Sequence, residues 1–179
     1  MSRFFDKRRE ASRRRKLPKF RYIADNTLPF RRDAEGVPCA CCGELTHEVY
    51  ESGFADSAFT GALCPACVVS GRACQTFDAS FHDAEQCEQV SSPMAMETLE
   101  HCTPGLNTDQ PVQWPACCGD YCVFLREMTA EDFENEELME ALTDDIAAWE
   151  IPEEAVEETR ALLFRCPTCG KYRVFFDLD

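Results

Sequence analysis

The chain has 179 residues, 45% of them hydrophobic, and a formal net charge of −15. This length and hydrophobic content suffice for one medium domain with its own core and exclude a disordered chain. No run of about 18 uncharged apolar residues occurs, which argues against a membrane-spanning helix. The N-terminus also lacks the apolar stretch of a secretory signal, so we expect a cytoplasmic protein.

Charge divides the chain into two parts. Residues 1–32 contain twelve Lys and Arg against three acids, a local charge of +9, and the remainder carries −24. Residues 1–16 are predicted to form a basic arm, followed by one domain over residues 17–179. The acidic domain should repel nucleic acid and anionic membranes, whereas the arm should attract both.

Thirteen cysteines are the main chemical feature of the sequence. A reducing cytoplasm disfavours disulfides, and the arrangement of several cysteines as CxxC pairs favours metal ligation. A secreted disulfide-rich domain is one alternative. A thioredoxin-like redox CxxC is another, but it requires a βαβ context that the pattern does not show.

In chain order, the alternation of Phe20, Tyr22 and Ile23 predicts a short strand before the first cysteines. Four cysteines then form the first predicted metal site: Cys39, Cys42, Cys64 and Cys67. Two CxxC turns can place four sulfurs around one zinc ion, and Gly43 after the second cysteine permits the tight turn. Cys41 could replace either member of the first pair, but only the 39/42 pair has the CxxC spacing followed by glycine. A small β unit is expected between the two turns.

Further along, Ser92 and Pro93 predict the start of a short helix that ends before Gly105. Thr129 is the predicted N-cap of a longer helix with one apolar stripe, which continues to Trp149. Apolar segments over residues 161–165 and 172–178 predict a final hairpin closed around a CxxC.

A second metal site is predicted from that CxxC and an earlier cysteine group: Cys118, Cys122, Cys166 and Cys169. Cys117 could substitute within the earlier group. Zinc is favoured over iron, although thiolates alone do not discriminate between them. Four cysteines close the coordination shell, so two structural Zn²⁺ ions are expected. The predicted fold class is α+β, with small zinc-ribbon-like β hairpins at both ends and at least two helices packed in one compact unit.

Taken together, an ordered series of short motifs over residues 17–177 resembles the CbrC family of bacterial cysteine-rich proteins, whose namesake is linked to colicin tolerance. The motifs are Leu17-Pro-Lys-Phe20 with Tyr22, Cys39 to Gly43, Leu63 to Cys67 with Gly71, Phe81 with Asp83, His101 with Thr103-Pro-Gly105, Trp114, Cys118 to Cys122 with Phe124, and Arg165 to Lys171 with Arg173. The resemblance implies a cytoplasmic bacterial protein without established enzymatic activity. Leu106 and Cys117 depart from the pattern, where an aromatic residue and a histidine are expected.

Three functions follow as hypotheses. The first is a non-enzymatic, zinc-stabilised module that binds a protein partner, in bacterial stress or colicin response as the resemblance implies. The second is a nucleic-acid-binding protein that uses residues 1–16. The third is a zinc enzyme with a partly open second site that includes Cys117 or His101. No catalytic motif such as GxSxG, HExxH or a phosphate-binding loop is present, which favours the first hypothesis.

Overall fold

The chain folds into short antiparallel sheets and helices. A computed structural model describes residues 17–55, 59–152 and 155–178, and the predicted basic arm (residues 1–16) lies outside these ranges. Within them the strands are β1 (Arg31–Pro38), β2 (Leu45–Val49), β3 (Ala116–Cys117), β4 (Asp120–Tyr121), β5 (Val123–Glu127), β6 (Arg160–Arg165) and β7 (Tyr172–Asp177). The helices are α1 (Pro65–Val69), α2 (Arg72–Phe77), α3 (Pro93–Cys102), α4 (Ala130–Phe133) and α5 (Glu136–Ala148). The predicted α+β class is confirmed.

Two hairpins carry CxxC turns at their tips. Strands β1 and β2 pair antiparallel and enclose residues 39–44, and β6 and β7 pair antiparallel and enclose residues 166–171. The five helices all lie between these two hairpins in the sequence of the described residues. The prediction of zinc-ribbon-like hairpins at both ends is confirmed, with the final hairpin placed where the apolar segments predicted it.

Strands β5, β6 and β7 form a three-stranded sheet that is buried on both faces. Leu162 and Phe164 of β6 pack into a large core with Trp114, whereas Ala161 and Leu163 pack into a smaller core with α5. Alternate side chains of a strand point to opposite faces, which explains this division. The near-continuous apolar sequence of β6 is typical of a strand covered on both sides.

Helix α3 begins and ends as predicted. The Ser92 side chain accepts a hydrogen bond of 3.2 Å from the backbone N–H of Ala95, and Pro93 occupies the first helical position. Thr103 follows the last turn with an extended backbone. Pro93 costs no intrahelical hydrogen bond, because the first N–H groups of a helix have no partner in the helix.

The region after Thr129 differs from the prediction of one continuous helix. Thr129 does cap the short helix α4, and its backbone N–H donates to the Asp132 carboxylate at 2.8 Å. Asn135 then adopts an extended backbone, and its side chain accepts from the Leu138 N–H at 3.1 Å to start α5. Hydrogen bonds from an Asn side chain to nearby backbone groups compete with the hydrogen bonds of a helix. Asn therefore favours the start of a helix over its interior.

The predicted strand around Tyr22 is wrong, because the segment forms turns with a single bridge. Ile23 bridges to Phe124 at the edge of β5, and the Phe124 N–H donates to the Tyr22 carbonyl at 2.8 Å. The apolar alternation instead places Tyr22 fully in the core. None of the helices in the described ranges has the length and apolar character needed to cross a bilayer, and the longest, α5, has 13 residues.

Candidate metal centres

The first cluster unites four cysteines as the sequence predicted. The sulfur atoms of Cys39, Cys42, Cys64 and Cys67 all lie within 4.8 Å of one another. The Cys42 and Cys64 sulfurs are 3.9 Å apart. A tetrahedral zinc ion about 2.3 Å from each sulfur places the sulfurs about 3.8 Å apart, so the arrangement fits such an ion.

Two different local structures supply the two pairs of sulfurs. Cys39 and Cys42 lie in the turn between β1 and β2, where the Gly43 N–H donates to the Cys39 carbonyl at 2.8 Å. Gly43 has a φ of +75°, a conformation that favours glycine. Cys64 is the N-cap of α1, so the second CxxC is the first turn of a helix. The two halves are joined by a hydrogen bond of 2.8 Å from the Ala40 N–H to the Ala62 carbonyl.

Backbone N–H groups stabilise a thiolate in this cluster. Burial raises the pKa of the Cys39 thiol, but the N–H groups of Cys64, Cys42 and Cys41 outweigh it and lower the pKa to about 7. The Cys64 N–H lies 3.3 Å from the Cys39 sulfur. Thiolates are the metal-binding form of cysteine, so this backbone geometry prepares the site for a cation.

The second cluster differs from the prediction by one residue. It consists of Cys117, Cys118, Cys166 and Cys169, whose sulfurs lie within 4.8 Å of one another. The Cys117 sulfur is 3.8 Å from that of Cys118 and 3.6 Å from that of Cys169. These separations also fit a tetrahedral ion. The predicted ligand Cys122 is not part of the group, and Cys117 takes its place.

A tight turn explains this correction. Ala116 and Cys117 pair with Tyr121 and Asp120, so Cys118 and Gly119 form a two-residue hairpin turn. Both turn residues have positive φ, +55° and +80°, as a type I′ hairpin turn requires. The turn presents two adjacent sulfurs at its tip.

Cys122 follows this hairpin and is directed into the core. It is fully buried, and its carbonyl accepts a hydrogen bond of 2.8 Å from the indole N–H of Trp114. Burial raises the pKa of its thiol to about 12. Gly119 is the sequence signal for the turn that brings Cys117 and Cys118 together, since glycine readily adopts the positive φ that such a hairpin turn requires.

The CxxC turn at the tip of β6 and β7 repeats the geometry of the first hairpin. The Cys166 N–H donates to the Lys171 carbonyl at 2.8 Å, as the Cys39 N–H does to Glu44. Gly170 has a φ of +78°. Burial raises the pKa of Cys166, but the N–H groups of Cys169 and Thr168, both 3.4 Å from its sulfur, lower the pKa to about 6.

Arg173 holds the β3–β4 hairpin beside this turn. Its guanidinium donates to the Ala116 carbonyl at 2.7 Å and forms ion pairs with Glu88 and with Asp145 of α5. Ala116 directly precedes Cys117, so this arginine fixes the position of the first sulfur of the cluster. The contacts connect β7, β3 and α5 through one side chain.

The histidines lie outside both clusters. His101, which the enzyme hypothesis placed beside an open second site, instead lies with its Nδ1 3.1 Å from a carboxylate oxygen of Glu97 and lines a separate cavity of about 610 Å³. Cys74 and Cys102 line the same cavity, and burial raises the pKa of both thiols, that of Cys74 to about 12. Raised thiol pKa values argue against an activated nucleophile there.

All thirteen cysteines are free thiols, so none of the eight clustered sulfurs is engaged in a disulfide. The two clusters could therefore hold two metal ions, each in a closed set of four sulfurs. Such a set leaves no position for a water molecule, as is typical of structural zinc.

Comparison with known proteins finds bacterial relatives of this sequence. The model of a family described as "Uncharacterised protein family (UPF0167)" matches residues 17–178. UPF0167 proteins of Mycobacterium bovis and Mycobacterium tuberculosis are each 29% identical to the chain over 182 residues, covering 94% of it and 97% of the relative. A UPF0167 protein of Pseudomonas aeruginosa is 32% identical over 120 residues, covering 65% of the chain and 66% of the relative. No solved structure matches the chain significantly.

Proposed function

We propose that this chain, which belongs to the uncharacterised family UPF0167, is a non-enzymatic module that binds a basic protein partner and is held in shape by two structural zinc ions. Zinc is preferred over iron because it binds closed tetrathiolate sites without redox chemistry, and such sites supply folding free energy. The CbrC resemblance suggests a role in bacterial stress or colicin response, and the reducing cytoplasm would keep the ligands as thiolates.

The observation that carries this proposal is an uncompensated acidic surface around α4 and α5. Residues 127–159 contain fourteen acids and no Lys, Arg or His. We define the acidic surface as the exposed acids of this segment in the described ranges other than Glu127, which pairs with Arg160: Glu131, Glu134, Glu136, Glu137, Glu140, Asp144, Glu150, Glu157 and Glu158. The described residues give none of these nine a salt-bridge partner. Such a surface attracts cationic partners over a range set by the salt concentration.

A recess in this surface has the chemistry to accept a cationic side chain. A cavity of about 350 Å³ is lined by the apolar residues Met128 and Phe133, by the acids Glu157 and Glu158, and by Glu127 with its ion-pair partner Arg160. Lys and Arg combine an apolar stem with a charged end, so their stems would contact the apolar floor while their charges meet the acidic rim. The partner is therefore expected to present Lys or Arg side chains.

The experiment compares a wild-type bait with a charge-reversed bait in pull-downs from bacterial extract. We expect the wild-type chain to retain specific basic proteins, and the double variant Glu157→Lys/Glu158→Lys to lose them at physiological salt. The matched control is Glu35→Lys/Glu85→Lys, which makes the same change in net charge at exposed acids outside the acidic surface. Equal recovery with all three baits, or no protein above background with wild type, would overturn the proposal.

A second candidate function is nucleic-acid binding through the basic arm, favoured by the charge of +9 over residues 1–32. Part of this charge is already engaged in the domain, because Arg21 pairs with Asp120 and Arg31 with Asp33 and Glu51. Deletion of residues 1–16 should then abolish duplex DNA or RNA binding, with a salt dependence that reports the number of phosphate contacts. Equal binding with and without the arm would exclude this role.

A further inference from the structure

We infer that the two metal centres are functionally unequal: the second cluster exchanges its ion with soft ligands and soft cations in solution, whereas the first retains its ion. This would make the second cluster a metal-transfer site in addition to a structural one. The inference rests on the metal centres proposed above and extends them.

Exposure separates the two clusters. In the first, Cys39, Cys64 and Cys67 are buried and only Cys42 is partly exposed. In the second, Cys118 and Cys169 are exposed, Cys117 is partly exposed, and only Cys166 is buried. A competing ligand must reach the ion or its sulfurs before it can displace one, and the accessibility of a thiolate governs its reactions. Two of the four cysteines of the second cluster are exposed to such an attack.

The first cluster is also fixed by its surroundings. Cys64 and Cys67 belong to the first turn of α1, in which Pro65 is buried and Val68 packs in the large core. The Cys64 N–H contacts the Cys39 sulfur directly at 3.3 Å. Withdrawal of a sulfur from this site would disturb packed residues, which interiors resist because they are densely packed.

Two of the four sulfurs of the second cluster come from a much smaller element, whereas Cys166 and Cys169 lie in the turn between β6 and β7. Cys117 and Cys118 lie at the turn of the β3–β4 hairpin, in which each strand has two residues. Short two-stranded hairpins have little stability of their own. Cys118 and Gly119 form the turn itself, so a rotation confined to these two residues would withdraw the sulfur of the exposed Cys118 while Ala116 stays bonded to Arg173.

The exchange requires no redox step. A chelator donates its own atoms to Zn²⁺ as each zinc–sulfur bond breaks, and the released sulfurs stay thiolates or take up protons from the solvent according to pH. The ion leaves as Zn²⁺, so no electrons are transferred. Cd²⁺ would enter the same four sulfurs, because soft thiolate ligands accept soft cations.

The test follows zinc release from the full chain, loaded with two equivalents as measured by elemental analysis. With excess chromogenic chelator, we expect zinc release in two phases of one equivalent each. The rate of the fast phase should exceed that of the slow phase at least about tenfold, because exposed thiolates react first. The variants Cys118→Ser and Cys169→Ser should lose the fast equivalent and keep the slow one. Cys102→Ser, a thiol outside both clusters, is the matched control and should keep both phases.

A second measurement uses the unmodified chain, so it does not depend on whether a variant folds. With Cd²⁺ in excess over both sites, one equivalent of Zn²⁺ should be displaced rapidly and the second slowly, each with the ultraviolet absorption of a cadmium–thiolate complex. Release of both ions at one rate, or a fast phase that persists in both serine variants, would overturn the inference. Uptake of only one equivalent of Zn²⁺ per chain in metal-replete buffer would contradict the second metal centre itself. That result would leave the pull-down test of the acidic surface unaffected.

Discussion

The Asp120 carboxylate accepts a hydrogen bond of 2.7 Å from the hydroxyl of Tyr22, 98 positions away in the chain. Arg21 donates to the other carboxylate oxygen at 2.6 Å. Burial raises the pKa of Asp120, but the Tyr22 hydroxyl and the Arg21 guanidinium outweigh it, so the net pKa is lowered. Because Asp120 pairs with Cys117 in the hairpin, this contact joins the segment that follows the basic arm to the second cluster.

Removal of this carboxylate should destabilise the fold. In Asp120→Ala the Tyr22 hydroxyl loses its acceptor, and we expect a loss of about 1–3 kcal/mol in the free energy of unfolding, measured in urea. Asp120→Asn retains an acceptor oxygen and should cost less. Glu140→Gln, at an exposed acid of α5, serves as the control and should change stability by less than about 0.5 kcal/mol. Equal stability of Asp120→Ala and wild type would contradict the structural role.

Asp132 should make stability depend on pH. The Arg126 guanidinium holds the pKa of this carboxyl well below its usual range against the opposing effect of burial. At pH 7 we expect Asp132→Asn to lower the free energy of unfolding by about 1–2 kcal/mol, because a helix cap is weakened. The folded pKa lies below the unfolded value of about 3.9, so the stabilisation is present above that value and disappears as pH falls through the folded pKa.

Urea unfolding of wild type and Asp132→Asn at a series of pH values between neutral and strongly acidic measures this effect. The difference between the two proteins should be largest near neutrality and should shrink in acid. Glu131→Gln, at an exposed neighbour in the same helical turn, is the control. A difference that does not change with pH would show that Asp132 acts through packing alone.

Metal stoichiometry should distinguish Cys117 from Cys122. Cys117→Ser removes a sulfur from the second cluster, and we expect the purified variant to retain about one metal equivalent, since structural zinc normally needs four ligands. Cys122→Ser leaves both clusters intact and should retain two equivalents, although its buried position predicts some loss of stability. Elemental analysis of both variants makes the measurement, and the reverse result would restore the ligand set expected from sequence.

The small core between α5 and the three-stranded sheet should be sensitive to a cavity. Leu142 is fully buried there. Leu142→Ala should lower the free energy of unfolding by about 2–4 kcal/mol, through lost apolar contacts and the cavity left behind. Leu45 is 57% exposed, so Leu45→Ala is the matched control and should cost much less. Chemical denaturation of both variants measures the difference.

The sequence predicted the features that depend on short local patterns. The CxxCG turns identified both hairpin tips because glycine with positive φ is required directly after the second cysteine, as Gly43 and Gly170 show. The Ser92–Pro93 pair identified the start of α3 for an equally local reason. Each of these signals is read from a few consecutive residues and is little affected by the rest of the fold.

Features that depend on tertiary contacts were predicted less well. Whether Cys117 or Cys122 joins the second cluster depends on which residues of a short hairpin face the core. Cys122 is directed into the core, where its carbonyl accepts a hydrogen bond from Trp114. The helix break at Asn135 depends on the hydrogen bond that its side chain accepts from the Leu138 N–H, and the regular apolar stripe of the sequence does not reveal this bond. The Tyr22 segment lies along β5, but turns limit its pairing to one bridge.

The placement of β6 between the two cores has a consequence for how the protein unfolds. Since one strand contributes Leu162 and Phe164 to one core and Leu163 to the other, neither core can be opened to solvent while the other stays whole. The described domain should therefore denature in a single cooperative step. Amide hydrogens of β6 should exchange with solvent only through that global event, and so more slowly than those of the small β3–β4 hairpin.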